Sequence, residues 1–236
     1  MREPKGDDRL AQWGALAAGL AHEIKNPLST MNISLQLMLE DLSDRQQIAS
    51  ARLVPRVEML ISEVQRLQRT LNEFLSLARE PDLELKERDP NALIEEIRVF
   101  IEPELSRQSI DLVTQVDRAS RGLRVDPDLM RQALLNIIRN GMQAMEDGGT
   151  LTLQTRWSDD TFVIEVIDTG DGVADEIRDR IFDGFFGTRP GSTGIGLAIT
   201  RQIIQLHGGD VTCESTVGVG TRFTVTLPVV GGEAGR

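Results

Sequence analysis

Tyrosine is absent, cysteine occurs once, and aromatic residues make up only 4% of the 236 positions. The single Cys213 excludes an internal disulfide and a multi-cysteine zinc site, so any metal must be taken by oxygen ligands. Basic residues are in deficit: 26 Lys and Arg face 37 Asp and Glu, a formal charge of -11 that works against attraction to nucleic acid or to an anionic membrane. No stretch approaches the ~18 consecutive apolar residues of a membrane span. The opening MREPKGDD also lacks the apolar segment of a signal peptide, so a soluble cytoplasmic chain is expected. What is present, 40% hydrophobic content, suffices to bury one large core or two modest ones.

Residues 1–80 carry almost no strand signal and a sustained three-four apolar spacing, which predicts helix. Leu10, Trp13, Ala17, Leu20, Ile24, Met31, Leu35, Met38 and Leu42 form one stripe, and Leu53, Val57, Leu60, Val64, Leu67, Leu71, Phe74 and Ala78 a second. The polar run Asp41 to Gln47 between them predicts the turn of an antiparallel hairpin with arms of ~50 Å. Two helices alone leave much of each stripe wet, so pairing with a second copy into a four-helix bundle is expected.

Residues 81–90 read as a linker, because Pro81 and Pro90 at its ends prevent a continuous helix. Residues 91–230 read as a second domain. A helix from Asn91 to Arg107, capped by Asp89 or Asn91, precedes strands at Ile110 to Val116 and Leu123 to Val125. Asp126-Pro127 opens a helix to about Met145, and Leu151 to Trp157 with Phe162 to Asp168 form a hairpin. A glycine-rich stretch from Gly170 to Gly196, a helix from Gly194 to His207 and strands at Val211 to Ser215 and Thr221 to Leu227 complete an α/β sandwich with one long mobile segment.

Four groups of residues carry chemistry. At 100° per residue His22 points away from the Ala17, Leu20, Ile24 stripe, toward solvent. A lone surface histidine is ordinarily inert, but Glu23 follows it and Asn26 lies one turn on, which places an imidazole beside a carboxylate and an amide. Pro27 withholds an N–H from the carbonyl of Glu23, so a bend is expected just below the histidine. In LLNIIRNGMQAM, Asn136 and Asn140 share one face of an otherwise apolar helix, where they either cap nearby backbone or bind a ligand or hydrated cation. Asp168-Thr169-Gly170-Asp171-Gly172 follows a strand; it is either an ordinary turn or a place where backbone approaches a flat ligand while Asp168 accepts from an amino group. Ser192 to Leu197 puts Gly194 and Gly196 at a helix N-terminus, whose N–H groups suit phosphate oxygens. His207 and Cys213 read as structural, the first at a helix C-terminus and the second as a small strand residue.

In this order, the groups resemble the transmitter core of a sensor histidine kinase. LAAGLAHEIKNPL is similar to the phosphoacceptor box, LLNIIRNGMQAM to the N box, VIDTGDGV to the G1 box, IFDGFFGTRPG to the F box and STGIGLAIT to the G2 box. Gly218-Val219-Gly220-Thr221 is similar to the closing glycine motif, and the likeness covers residues 10 to 228. The resemblance implies a dimeric four-helix bundle followed by a Bergerat-type ATP-binding domain. It implies that Asn140, helped by Asn136, ligates Mg²⁺ bridging the ATP phosphates, that Asp168 selects adenine, and that Gly170 and Gly172 shape the base pocket. Thr193, Gly194, Ile195, Gly196 and Leu197 would hold phosphate oxygens, and Thr221 belongs to the same site.

His22 would attack the γ-phosphorus with Glu23 as its base, then pass the phosphoryl group to an aspartate of a partner response regulator. Asn26 would orient water for a phosphatase activity on that partner. The chain departs from the pattern at Ser192, in the first glycine position of the G2 box, with Gly191 one residue earlier, and at Gly184, where proline is common. Gln143 stands where some relatives have lysine, leaving Arg139 or Arg189 to supply positive charge. A gyrase-like or chaperone-like ATPase would need a glutamate at Asn136, a serine kinase has no use for His22 on a hairpin, and a silent scaffold has none for the full set of polar residues.

Overall fold

The computed structural model describes residues 6–43, 50–78, 82–117, 119, 122–158, 160–187 and 193–229; within the first two helices the side chains of residues 6–18, 22, 39–43, 50–52, 69, 73 and 76–78 lie outside the description. The chain divides into two compact units, one holding the first two helices and the other the remaining elements.

In the first unit, α1 (Gly6–Ser43) packs on α2 (Ser50–Ala78). Pro27 lies inside α1 with its ring buried, and the helix continues through it. Ser29 and Thr30 direct their hydroxyls to the carbonyls of Lys25 and Asn26, one turn back, at 2.9 and 3.3 Å. The seam differs from the predicted stripes. Leu20, Ile24, Pro27, Met31, Ser34 and Met38 face inward from α1, and Leu53, Arg56, Leu60, Glu63, Leu67, Thr70 and Phe74 from α2. Leu35, Val57, Val64 and Leu71, expected in the stripes, are instead 53%, 42%, 45% and 45% exposed. Each predicted stripe therefore merged two adjacent helix edges, because Pro27, Ser34, Glu63 and Thr70 occupy inward positions that polarity or ring chemistry had set aside. Leu10, Trp13, Ala17, Leu42 and Ala78 of those stripes, and the turn residues Asp44 to Gln47, fall outside what is described.

The second unit begins with a strand inside the stretch expected to be a linker. β1 (Lys86–Arg88) pairs antiparallel with β3 (Leu123–Val125), Lys86 opposite Val125. Between them lie α3 (Pro90–Arg107), opened by Asp89, whose carboxylate accepts from Asn91 N at 2.9 Å, and β2 (Ile110–Gln115). Asn91, the other candidate cap, instead donates its amide to the carbonyl of Asp117. Next come α4 (Pro127–Gln143), β4 (Gly149–Trp157) and β5 (Thr161–Asp168). The stretch expected to be mobile contains a short helix α5 (Asp175–Arg178) and a 3₁₀ turn (Asp179–Phe182), which buries Phe182 edge-on against Phe223. It is followed by α6 (Gly196–Leu206), β6 (Asp210–Thr216) and β7 (Gly220–Pro228).

The main sheet has the order β2-β4-β5-β7-β6, with β2 and β4 parallel and the other pairs antiparallel. Strand alternation turns Leu151, Leu153, Phe162, Ile164, Val166, Phe223, Val225 and Leu227 into a core shared with the helices. Ile94, Ile97 and Ile101 of α3, Leu134, Ile137 and Ile138 of α4, and Ile199 and Ile203 of α6 supply the rest. The opposite face carries polar residues such as Thr152, Gln154, Arg222 and Thr224, with Glu165 and Arg222 paired at 3.4 Å. Cys213 faces Phe223 across β6 and β7, and burial pushes its thiol up to about 11, so it stays protonated and packs as an apolar residue.

Candidate nucleotide site and phosphoacceptor face

In the second unit the candidate residues gather along one helix. Asp126 fixes where α4 begins: Oδ1 accepts from Asp128 N and Leu129 N at 3.1 and 3.2 Å, and Oδ2 from Glu84 N at 3.0 Å. Its own N–H donates to His207 Nε2 at 2.9 Å, while His207 Nδ1 donates to the carbonyl of Ile203 at 2.7 Å. His207 thus ties the end of α6 to the start of α4 as a neutral ring, in keeping with a structural role.

Asn136, half-way along α4, donates its amide N–H to the carbonyl of Gly196 at 3.0 Å, so the first residue of α6 sits directly against it. Asn140 lies one turn on and half-buried; its carbonyl accepts from Ala144 N at 3.1 Å, while its side-chain amide has no hydrogen-bond partner among the described residues. Gly141 comes next: a Cβ there would lie 3.2 Å from Asp168 Cβ and 3.3 Å from its Oδ2, closer than nearly all real contacts. Sequence reasoning passed over Gly141, although a glycine in a helix interior is itself a signal of close approach. At the end of α4, a Cβ on Gly170 would collide with the carbonyl oxygen of Ala144 at 2.4 Å, and Asp171 N donates to that same oxygen at 3.1 Å. One helix therefore floors both the loop after β5 and the start of α6.

Asp168 is 5% exposed. Its Oδ1 accepts from Gly170 N at 3.0 Å and from Thr221 N at 3.2 Å, which fixes the carboxylate plane at the tip of β5. Thr221 Oγ1 lies 3.0 Å from Ser215 Oγ, and Ser215 in turn accepts from Val173 N at 2.7 Å. The loop after Asp168 is thereby held from both sides. Ser215 is a further residue the sequence did not mark, since one hydroxyl in a strand is unremarkable until its partners are known. Gly172 and Gly194 adopt φ of +73° and +64°, and in both places a Cβ would strike backbone, at Thr216 and at Phe186.

Ile195 is fully buried beneath the α6 N-terminus, and Leu197 is half-buried on its first turn. Thr193 resumes the described chain just before Gly194. Arg139 and Gln143 are exposed on α4; Arg189, Gly191 and Ser192 lie outside the described residues. Gly184 is described, within the segment leading to Phe186.

The donor set suits a nucleotide held through its own chemistry. A fixed carboxylate at a strand tip can accept from an exocyclic amine, glycines leave room for a flat ring, and N–H groups at the start of α6 suit phosphate oxygens. Among the described residues no three His, Cys, Asp or Glu side chains come together as a metal cluster. The amide oxygens of Asn136 and Asn140 are hard donors of the kind that could share in a divalent-cation shell alongside phosphate oxygens.

In the first unit, the His22 side chain lies outside the described residues, Asn26 is exposed on α1, and Glu23 turns to the other helix. Arg66 Nη2 donates to Glu23 Oε2 at 3.2 Å, and Arg66 Nη1 stands 3.9 Å from Glu63 Oε2. The pairing of Glu23 with Arg66 was not expected from the sequence.

Residues 12–82 match the family described as the His Kinase A (phospho-acceptor) domain. Residues 125–231 match the family described as the histidine kinase-, DNA gyrase B- and HSP90-like ATPase. The signal transduction histidine-protein kinase AtoS of Escherichia coli K12 is 32% identical over 225 residues, which cover 94% of this chain and 36% of AtoS. The sensor histidine kinase ZraS of the same strain is 33% identical over 227 residues, 96% of this chain and 48% of ZraS. The chain thus spans about a third to a half of the length of these curated relatives. Among solved structures, the crystal structure of the histidine kinase ThkA in complex with the response regulator TrrA superposes with a TM-score of 0.81 at 26% identity, covering 96% of this chain and 64% of that one.

Proposed function

This chain belongs to the sensor histidine kinases, with their phosphoacceptor and ATP-binding parts in that order, and from that premise we propose that it binds Mg-ATP, phosphorylates itself on His22 and passes the phosphoryl group to a response regulator. The observation that carries the reading is the α4 floor, which supports the Asp168 loop at one end through Gly141 and Ala144 and the start of α6 through Asn136. In this reading Asp168 accepts from the adenine amine, while Gly170 and Gly172 admit the ring. Thr193, Gly194, Ile195, Gly196 and Leu197 present backbone to the phosphates, and Thr221 holds Asp168 in place. Arg139, exposed on the same helix, adds positive charge. Asn140, with the oxygen of Asn136, would hold Mg²⁺, which would neutralise phosphate charge when bound.

One imidazole nitrogen of His22 attacks the γ-phosphorus. A P–N bond forms, the bond to the ADP oxygen breaks, and the proton on the other ring nitrogen passes to Glu23. The phosphoryl group then moves to a carboxylate of the regulator, restoring the imidazole; ThkA, solved with TrrA, supports a partner of that kind. Asn26, exposed and unable to act as a base, orients water against the phosphorylated regulator. The protein acts as a homodimer: Val54, Val57, Ile61, Val64, Leu71 and Leu75 stand exposed along one edge of α2, at the three-four spacing a second helix pair would cover. Among the described residues no helix is long and apolar enough to cross a membrane, and the reading places these two units in the cytoplasm.

Incubation with γ-labelled ATP and Mg²⁺ should give an acid-labile, alkali-stable label on the protein. His22→Gln should abolish it while leaving nucleotide affinity within about twofold, since Asn136, Asn140, Asp168, Gly194 and Thr221 belong to the other unit. Equal labelling of the variant would remove His22 as the acceptor.

A further inference from the structure

We propose that Arg66 is a positioning residue for Glu23, holding its carboxylate toward α2, and that Glu63 frees Glu23 by taking over the guanidinium. The inference rests on the reading of Glu23 as the base for His22, and it adds a control on that base. Glu23 and Arg66 are joined across the seam at 3.2 Å, with side chains only 19% and 26% exposed, so the pair is shielded from much of the competing water. While Oε2 is committed to the guanidinium, the direction of the carboxylate is set by a residue of α2.

Releasing Glu23 would leave a half-buried guanidinium without its partner, which is unfavourable unless another carboxylate is at hand. Glu63 is that carboxylate. It lies one turn before Arg66 on α2, with Oε2 3.9 Å from Nη1, too far for a hydrogen bond. That oxygen is buried without a hydrogen-bond partner, and so is Arg66 Nε. The two residues nearest the pair thus carry one unspent acceptor and one unspent donor, with Nη1 of the same guanidinium already 3.9 Å from the acceptor, and a side-chain rotation that joins them satisfies both as Glu23 departs. Thr70, one turn further along, donates its hydroxyl to the Arg66 carbonyl at 3.1 Å.

The arrangement makes the two α2 residues act in opposite directions on one rate. Glu63→Gln removes the charge that competes for Arg66, tightens its hold on Glu23, and should lower the autophosphorylation kcat by about fivefold, the scale of one partly exposed ion pair. Arg66→Gln should raise kcat by about threefold, and Arg66→Lys, which keeps the charge, should stay near the wild-type rate. KM for ATP should not move in any of the three, because Asn136, Asn140, Asp168 and Thr221 lie in the other unit.

The full chain is used, with circular dichroism and dimer size checked for each variant. Absence of acid-labile label on the wild type would refute the phosphoacceptor reading itself. With wild-type labelling present, changes of kcat in the same direction for Arg66→Gln and Glu63→Gln, or KM moving with kcat, would overturn the positioning role alone. If Arg66→Gln fails to fold, Glu63→Gln decides: a reduced kcat at constant KM supports the exchange, and an unchanged or raised kcat overturns it.

Discussion

The Asp168 carboxylate owes its position to two backbone donors, Gly170 N and Thr221 N, which both reach the same oxygen. That asymmetry makes Asp168→Asn an informative change. The amide oxygen can keep both backbone bonds, so the fold should survive, while the other position becomes a donor where the proposed adenine contact needs an acceptor. Loss of a hydrogen bond to a charged acceptor predicts about 10- to 100-fold weaker ATP binding, measured by calorimetry, with an unchanged melting profile. On the other unit, Asn26→Ala should keep most autophosphorylation yet slow dephosphorylation of the cognate regulator, because the side chain is exposed and holds nothing in the seam. Parallel loss of both rates with an intact dimer would make the amide structural.

At the scale of elements, α4 is the member on which the site depends, and its N-terminus is the place where three segments meet. Asp126 caps α4, accepts from Glu84 beside β1 and donates its own N–H to His207 at the end of α6. Burial works to raise the Asp126 carboxyl, but the N–H bonds from Leu129, Glu84 and Asp128 outweigh it and hold the group below its ordinary value of 3.8. A lowered value in the folded state means that the unfolded chain binds the proton more readily, so the stabilisation is complete above pH 3.8 and fades as pH falls through the lower folded value. Asp126→Ala should cost about 2 kcal/mol near neutral pH, and the difference from wild type should shrink on acidification below that value. Urea titrations at pH 7 and pH 3 test both parts, and a difference independent of pH would remove the charged cap from the account.

For the whole molecule, the exposed apolar edge of α2 sets the expected assembly. A single hairpin leaves Val57 and Val64 about half in water, and a second copy is what would cover them. Val57→Asp together with Val64→Asp should shift the protein to a monomer in analytical ultracentrifugation. ATP binding should be retained, since the second unit has its own core. A dimer that survives both changes would place the interface on another face.

The order of chemical boxes, the helical start, the caps at Asp89 and Asp126, and most strands of the sandwich were legible in the chain, because each depends on residues within a few positions of one another. Helical periodicity could say that α1 and α2 carry apolar faces but could not divide inner from outer edge, since Pro27, Ser34, Glu63 and Thr70 enter the seam only when the partner helix is present. The strand at Lys86–Arg88 was invisible for the same reason: its charged residues gain a strand only by pairing with β3. The anchoring of Asp168 by Thr221, 53 residues on, and the pairing of Glu23 with Arg66, 43 residues on, likewise belong to tertiary structure. Local spacing determined which residue types this protein offers to its chemistry; packing between distant elements decided which of them meet, because a hydrogen bond or ion pair has no sequence signature until the backbone brings its two ends within about 3 Å.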